Sequence, residues 1–310
     1  MSMGGLPIRI QLPAGLATVV GAMPQLNPFE ASRFLLDLVP RLLAAPTLDV
    51  RVAPGGGRSV ASVADERLAS LRCFLTELVG RVEPVVLSLT GPVTVHLGLL
   101  SDGVDRDRAI ELAGDVVADA GRRLLDLAAE VLPGTPILLF LEEPGLANSM
   151  HPTFPLAGDE IERLVGGVVG PLAQEAMVGV QVNGRADWAM LLRTGIGVLG
   201  APVSARLDTA AAELARFLES GGFIAWGAVP VDEPLGSSSE RLWKRLSAMW
   251  SELARLGLDP MLIREHSIIT PAAGVGDFGV SQAERILRLT SDLSERVFNQ
   301  VIGARLSIGA

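Results

Sequence analysis

Short apolar runs rich in valine, isoleucine and leucine alternate with longer amphipathic stretches along the whole chain. A short apolar run bounded by Gly, Pro or polar residues predicts a buried strand, whereas apolar positions repeating at helical spacing predict a helix. The predicted strands are residues 16–22, 47–52, 85–89, 137–141, 178–182, 196–200, 223–229 and 267–270. The clearest helical patterns cover residues 27–43, 106–132, 208–220 and 281–298.

This alternation is typical of parallel strands covered by helices. No G-x-G-x-x-G motif follows the first strand, so a closed barrel is favoured over an open doubly wound sheet. The "PGGG" stretch at Pro54–Gly57 lacks the Lys-Ser/Thr of a phosphate loop, and we interpret it as a flexible connection. No linker or low-complexity tract divides the chain. We therefore predict an α/β protein with one domain, a single (β/α)8 TIM barrel over residues 1–310.

The charge and hydropathy of the chain exclude nucleic acid and membrane as expected partners. The chain has 26 basic and 35 acidic residues, a net charge of −9, and no basic stripe. The longest uncharged run, Pro84–Ser101, is interrupted by Gly91 and Pro92, so it does not read as a membrane span. No secretory signal pattern opens the sequence, and we expect a cytoplasmic protein.

The residue inventory excludes several kinds of chemistry. Cys73 is the only cysteine, which rules out an internal disulfide or a Cys-pair metal motif, and its pattern predicts a core thiol on the apolar face of a helix. The chain has no tyrosine, and Lys244 is its only lysine. Schiff-base chemistry and tyrosine acid catalysis are therefore not expected.

The candidate site residues follow the predicted strands, because the loops after the strands form the active face of a barrel. The catalytic candidates are Glu142, Glu143 and His266. The substrate-binding candidates are Gly21, Ala22, Thr90, Gln181, Asn183, Trp226 and Asp232.

Two strand exits share an acid-Glu-Pro pattern, at Glu142–Pro144 and Asp232–Pro234. Proline restricts the preceding residue to extended geometry and ends the strand, which presents the adjacent carboxylates at the mouth. Carboxylates that share a site split their pKa values, which suits general acid or base work or binding of an ammonium group. The alternative is that these acids cap the next helix or pair with arginine.

The three histidines each have a structural alternative. His96 follows the "GPVTV" segment, His151 lies in the Pro-rich "NSMHPTFP" loop, and His266 begins the last strand. They are not at metal-ligand spacing with one another, so a structural or surface role is the default for each of them.

Four segments near the predicted strand exits carry a family resemblance. "TVVGAMPQLNPFEA" resembles a T-x-x-G-S-x-P loop, "FLEEPGL" resembles an I-D-E-P-A-L strand, and "ITPAAGVGDFGVSQAERI" resembles an N/T-P-x-C-G-L loop with its helix. "LTGPVT" matches its family segment almost letter for letter. All four, in this order, are similar to the catalytic barrel of cobalamin-independent methionine synthase. The resemblance implies a TIM barrel and a methyltransferase activity that moves a methyl group from methyltetrahydrofolate to homocysteine.

The resemblance also implies a zinc site whose ligands are replaced in this chain. Family members bind zinc through a His-x-Cys pair, a Glu and a late Cys; these positions match Gln181 and Asn183, Gly200 or Ala201, and Ala273. Neutral amides are weak zinc ligands and methyl groups are none. We therefore expect no zinc cofactor. The serine that helps to hold homocysteine matches Ala22, so the resemblance does not extend to that substrate.

Two function classes stay open. The first is a methionine-synthase-like methyltransferase without zinc, in which Glu142 or Glu143 binds a substrate amine, Gln181 and Asn183 donate or accept hydrogen bonds, and methyltetrahydrofolate or a corrinoid is the donor. The second is a non-catalytic small-molecule-binding or regulatory homologue. A lyase or decarboxylase is a weaker third option, based on architecture alone. A small-molecule substrate is the expected partner, and a homo-oligomer or a corrinoid-protein partner is compatible with this interpretation.

Overall fold

The computed structural model describes residues 7–24, 28–39, 41–45, 65–233, 236 and 238–308. Its strands are β1 Leu16–Ala17, β2 Leu43–Ala44, β3 Val85–Thr90, β4 Ile137–Glu142, β5 Met177–Gln181, β6 Val198–Pro202, β7 Phe223–Val229 and β8 Ser267–Pro271. Its helices are α1 Pro28–Leu38, α2 Asp65–Thr76, α3 Pro92–Ser101, α4 Arg106–Val131, α5 Gly158–Leu172, α6 Trp188–Arg193, α7 Ala211–Glu219, α8 Glu240–Arg255, α9 Pro260–Glu265 and α10 Val280–Ile308. Short 3-10 turns cover Pro144–Asn148, Val203–Ala205 and Leu207–Ala210.

The strands form one parallel sheet in the order β1-β8-β7-β6-β5-β4-β3-β2. Neighbours in this order are sequential strands, apart from the β1–β8 pair that joins the two ends of the chain. The predicted α/β class is thus confirmed, and the sheet is curled. The two edge strands, β1 and β2, are linked by the hydroxyl of Thr18, which donates a 2.8 Å hydrogen bond to the carbonyl oxygen of Leu42.

Each face of the sheet carries a large aromatic side chain. On the outer face Trp226 of β7 packs edge-on against Trp250 of α8, with ring centroids 6.3 Å apart. On the inner face Phe140 of β4 lies over Gly179 of β5, where a Cβ would come within 2.8 Å of its ring. The strands are buried on both faces, which explains why their sequences are nearly continuous apolar runs.

Most predicted elements are present, with differences near the N-terminus. The predicted strand 47–52 and the Pro54–Gly57 stretch lie outside the described residues. The predicted helix 27–43 is too long, because α1 ends at Leu38 and β2 begins at Leu43. Pro40 accounts for this end, since proline cannot continue a helix and disfavours helical geometry at the residue before it.

Cys73 corrects a further expectation. Its side chain is exposed on α2, whereas Phe74, Leu75 and Leu78 are buried. The apolar pattern identified the helix correctly but placed the cysteine on the wrong face.

No helix among the described residues is both long and apolar enough to cross a membrane. The longest helices, α4 and α10, carry charged residues throughout.

Candidate functional site

A row of polar and small residues crosses the inner face at the carboxyl ends of four neighbouring strands. The register pairs Thr90 with Glu142, Glu142 with Gln181, and Gln181 with Gly200. Registered residues of parallel strands point to the same face, so three polar side chains and one glycine share this level. The structure thus brings Thr90, Glu142 and Gln181 together, as expected for residues at the exits of adjacent strands.

Glu142 reaches across the sheet to the loop after β1. Its carboxylate oxygen Oε2 lies 3.2 Å from the position that a Cβ would occupy on Gly21. Gly21 has φ +118° and packs against Gly274 of the loop after β8, so closely that its Cβ would lie 2.5 Å from the Gly274 Cα. The amide of Val275 donates a 2.7 Å hydrogen bond to the carbonyl oxygen of Ala22 in the same seam. A carboxylate from β4 and the backbone following β1 and β8 therefore meet at one place.

Glu143 has a different environment from its neighbour. Its carboxylate is fully buried and accepts hydrogen bonds from the amides of Val93 and Thr94, both at 2.8 Å, and from the Thr94 hydroxyl at 2.7 Å. These donors belong to the first turn of α3, and a side chain on Gly91 would overlap the Glu143 carboxyl group. Glu143 thus caps α3 from another segment of the chain, a stabilising position for a carboxylate.

Burial raises the pKa of Glu143 to about 7, against the opposing effect of its hydrogen bonds with Thr94 and Val93. The two adjacent acids of this strand exit therefore face different parts of the protein. Successive residues at a strand end point to opposite sides, so only Glu142 faces the mouth.

Gln181 is 2% exposed, and its side chain lies over Gly200, where any Cβ would overlap Oε1. Neither Nε2 nor Oε1 has a hydrogen-bond partner among the described residues. The hydroxyl of Thr270 on β8 is also buried and without a partner in this part of the chain. Leaving a buried polar group unpaired costs about 1–3 kcal/mol, so these groups are unusual in a stable interior.

A cavity of about 900 Å³ opens above the ends of β5 to β8. It falls within the size range of small-molecule sites. Four of its residues were singled out in the sequence, namely Asn183, Asp232, Glu233 and Ala273, and all four line this cavity. Asn183 and Asp232 are exposed. Pro202 and Gly227, which pair across β6 and β7 on the inner face, form part of the lining.

Two ion pairs line the same cavity. Arg206 binds Asp208 through Nε and Nη2 at 2.9–3.1 Å, and Arg245 binds Glu233 at 2.9–3.1 Å. The hydrogen bond from Arg206 lowers the pKa of Asp208, and the one from Arg245 lowers the pKa of Glu233. Glu233 thus follows the arginine-pairing alternative for the second acid-Glu-Pro exit.

Arg206 adopts a left-handed backbone conformation, with φ 61° and ψ 47°, the one positive φ among the described non-glycine residues. Such a conformation costs free energy for a residue with a side chain and is found more often at functional sites. Sequence reasoning missed Arg206, because no residue pattern marks it.

Trp226 and His266 lie away from the mouth, contrary to expectation. Trp226 points outward and its indole nitrogen donates a 2.8 Å hydrogen bond to the Ser267 hydroxyl. His266 precedes β8, so it lies at the amino end of the sheet, where its ring stacks on Phe223 and Nδ1 is 2.7 Å from the Gly222 carbonyl oxygen. Trp226 faces outward because side chains alternate between the two faces along a strand. His266 lies far from the mouth because it precedes β8, whereas the mouth is at the carboxyl ends of the strands.

The other two histidines have structural surroundings. His96 is buried in α3, and burial lowers its pKa. His151 is exposed and its Nδ1 lies 2.8 Å from the Thr153 hydroxyl.

The residues at the expected zinc positions differ in their placement. The Gln181 side chain is buried over Gly200, whereas Asn183 and Ala273 line the cavity. Across the described ranges, no three His, Cys, Asp or Glu side chains are grouped so that they could hold a metal ion. An amide pair beside a methyl group does not fit the donor preferences of zinc.

No protein-family profile matches the chain, and no curated protein matches it at a significant level. Among solved structures, a methyltransferase from Methanosarcina mazei superposes with a TM-score of 0.58 at 12% identity, covering 92% of this chain and 94% of that chain. A protein named as a candidate vitamin-B12 independent methionine synthase from Listeria monocytogenes gives a TM-score of 0.54 at 10% identity, covering 92% and 99%. At these identities the likeness shows the fold, which is of the TIM-barrel type.

Proposed function

We propose that the chain is a methyltransferase that moves a methyl group from a folate or corrinoid donor to a small acceptor, without zinc. The observation that carries this proposal is the Glu142 carboxylate, which lies in one row with Thr90 and Gln181 and meets the Gly21 backbone across the mouth. The two solved structures of similar fold are named for methyl transfer and methionine synthesis, which supports the reaction class.

The proposal includes closure of the sheet into a barrel. The Thr18 to Leu42 hydrogen bond joins the edge strands, and Glu142 of β4 approaches the loop after β1 although these strands are far apart in the sheet order. Both contacts are those of a closed barrel, whose active face lies at the carboxyl ends of the strands.

The reaction requires one base at the mouth. In the proposed step, Glu142 takes the proton from the nucleophilic atom of the acceptor, and the lone pair of that atom forms a bond to the methyl carbon. The bond between donor and methyl group breaks, and its electron pair stays on the donor, where a nitrogen donor takes up a proton. Glu142 also attracts a substrate ammonium group, and Gln181 and Asn183 supply hydrogen bonds.

The side chains present do not fit a zinc ion, so no step uses one. An acceptor with a lower pKa than an ordinary thiol needs less activation, because a larger fraction is already deprotonated at neutral pH. Such an acceptor suits a site whose only proposed base is a carboxylate.

The test is methyl transfer by the purified full chain. Methyltetrahydrofolate or methylcobalamin is combined with a panel of thiols, and methylated products are measured by mass spectrometry. We expect product with the wild type and at least a hundredfold less with Glu142→Gln, which keeps the shape but cannot accept the proton. Absence of product from every combination would refute the methyltransferase, and stoichiometric zinc in metal analysis would refute the zinc-free site.

A second candidate is a small-molecule-binding protein without catalysis. The placement of Glu143 and His266 favours it, since the structure leaves Glu142 alone among the three catalytic candidates at the mouth. This candidate predicts saturable ligand binding without turnover in the same assay.

A further inference from the structure

The inner face beneath the cavity holds a buried amide without a hydrogen-bond partner in the described part of the chain. Gln181 offers two N–H donors and one carbonyl acceptor, and none has a partner among the described residues. The hydroxyl of Thr270 on β8, which is separated from Gln181 by β6 and β7, is also buried without a hydrogen-bond partner among the described residues. Buried polar groups of this kind are normally paired, so an unpaired donor and acceptor on one side chain require an explanation.

These groups lie next to the cavity. Thr270 pairs in register with Gly227, and Gly227 pairs with Pro202, both of which line the cavity. Gly200 precedes Pro202 by two residues on the same face, so Gln181, which covers Gly200, lies one layer below the cavity lining. The wall between Gln181 and Thr270 consists of Gly200, Ala225 and Gly227, which have little or no side chain.

Gly200 is required for this arrangement. Any Cβ at position 200 would overlap the Gln181 Oε1, and that atom is the terminal part of the side chain. Gly200 therefore leaves room for an amide group beneath the cavity that a larger residue would displace.

The charge of the cavity narrows the ligand class. Its lining carries four carboxylates and two arginines, and each arginine is already paired with a carboxylate; the charged residues are Asp208, Asp232, Glu233, Glu252, Arg206 and Arg245. A net excess of acid disfavours an anionic ligand. The Gln181 carbonyl oxygen would also repel a carboxylate, whereas its donor and acceptor together complement a group that has both.

We infer that Gln181 is a specificity-determining residue that recognises an uncharged carboxamide or lactam edge of a ligand bound in the cavity. This inference rests on the proposed function because it takes the substrate to bind at the carboxyl ends of the strands. It concerns how the ligand is bound and does not depend on methyl transfer. The ligand edge pairs with the amide by entering from the cavity, and Thr270 supplies an additional hydroxyl.

The experiment compares nicotinamide with nicotinate, a matched pair that differs in carboxamide against carboxylate. Binding to the full chain is measured by ligand-observed NMR titration at neutral pH. We expect saturable binding of nicotinamide at least about tenfold tighter than that of nicotinate, the factor that one to two net hydrogen bonds supply. In Gln181→Met the preference disappears and the affinity for nicotinamide falls about tenfold.

Two further variants make the outcome decisive. Gly200→Ala leaves the amide intact but crowds it, and it is expected to weaken nicotinamide binding as well. Gln174→Met, which changes an exposed glutamine just after α5, is expected to leave the binding unchanged. Equal affinity for the two probes, no saturable binding of either, or an unchanged preference in Gln181→Met overturns the inference. Since the readout is binding, nicotinamide selectivity without methyl transfer refutes the proposed reaction alone, and methyl transfer without selectivity refutes this inference alone.

Discussion

Replacing Gln181 by methionine removes the buried amide while keeping an unbranched side chain of nearly the same length. In the wild type the amide nitrogen and oxygen are both buried without a partner in the described part of the chain. Methionine is flexible and apolar, so it can occupy the space over Gly200 with no polar group to satisfy. We therefore expect Gln181→Met to be more stable than the wild type, although most substitutions in a core are destabilising.

The magnitude follows from the two unpaired groups. An unsatisfied buried donor or acceptor costs about 1–3 kcal/mol, and relaxation around the new side chain offsets part of the gain. We expect a rise of about 1–3 kcal/mol in the free energy of unfolding. For a chain of 310 residues this corresponds to roughly 1.5 °C in Tm per kcal/mol, or about 2–5 °C.

Urea denaturation followed by circular dichroism measures the free energy, and thermal denaturation gives the Tm. The matched control is Gln174→Met, in which the same chemical change occurs at an exposed position and is expected to shift the free energy by less than about 0.5 kcal/mol. A Gln181→Met protein that is less stable than the wild type by more than about 1 kcal/mol, with an unchanged control, would show that the amide is satisfied in the folded protein. The reasoning about Gln181 would then be refuted.

Three further predictions concern residues whose roles the structure separates. Glu143→Gln replaces the carboxyl group that caps α3 with a group that does not titrate. The pKa of Glu143 in the folded protein, about 7, lies above the ordinary value of 4.5, so between these pH values the folded state holds a proton that the unfolded state has lost. The stability of the wild type relative to this variant is therefore expected to fall as pH rises through this window, by at most about 1.4 kcal/mol per pH unit. Urea denaturation at pH 5 and pH 8 measures this, and a relative stability that rises with pH would contradict it. Gly21→Ala is expected to lower the free energy of unfolding by more than about 2 kcal/mol, since φ +118° and the nearby Gly274 backbone both oppose a side chain. The control Gly167→Ala in α5, where a Cβ would have no atom within 4 Å, is expected to be neutral or slightly stabilising. Equal effects of the two substitutions would show that the backbone contact between Gly21 and Gly274 is not tight. His266→Ala is expected to lower the free energy of unfolding by about 1 kcal/mol, because its ring no longer stacks on Phe223; thermal denaturation measures this change. The affinity for nicotinamide, measured by the NMR titration, is expected to stay unchanged. A tenfold loss of affinity would instead show that His266 belongs to the binding site.

Most of the α/β architecture could be predicted from the sequence, because a parallel sheet buried on both faces requires continuous apolar strands, and this pattern is easy to detect. Seven of the eight strands overlap the predicted segments, with ends that differ by up to five residues, and the departure is at β2, Leu43–Ala44. Two residues are too few to show a period of their own, and the apolar residues of α1 run on toward them in the sequence. The sequence therefore failed to predict β2 because this strand is short, and not because its composition is unusual for a strand.

The candidate site was predicted less completely than the fold. Position after a strand was enough to predict that Thr90, Glu142 and Gln181 lie close together, because the register brings such residues to one level. It was not enough to show which way Trp226 points, or that His266 lies at the other end of the sheet. The direction of a side chain depends on the strand register and on packing partners that are distant in sequence, and neither can be read from a single strand.

The neighbouring acids at the end of β4 show why this distinction matters for function. Glu142 and Glu143 are chemically the same and adjacent, yet one lies at the mouth beside Gly21 and the other holds the first turn of α3. Because Glu143 fixes the segment that follows β3 to the segment that follows β4, it also fixes the spacing between Thr90 and Glu142. A change at Glu143 should thus alter ligand binding only through the geometry of its neighbours, whereas a change at Glu142 removes a charge from the mouth directly. The carboxyl ends of β4 and β5 then carry the Glu142 carboxylate next to the Gln181 amide, which has no hydrogen-bond partner among the described residues. This combination suits a ligand with a cationic or protic group next to an uncharged amide edge.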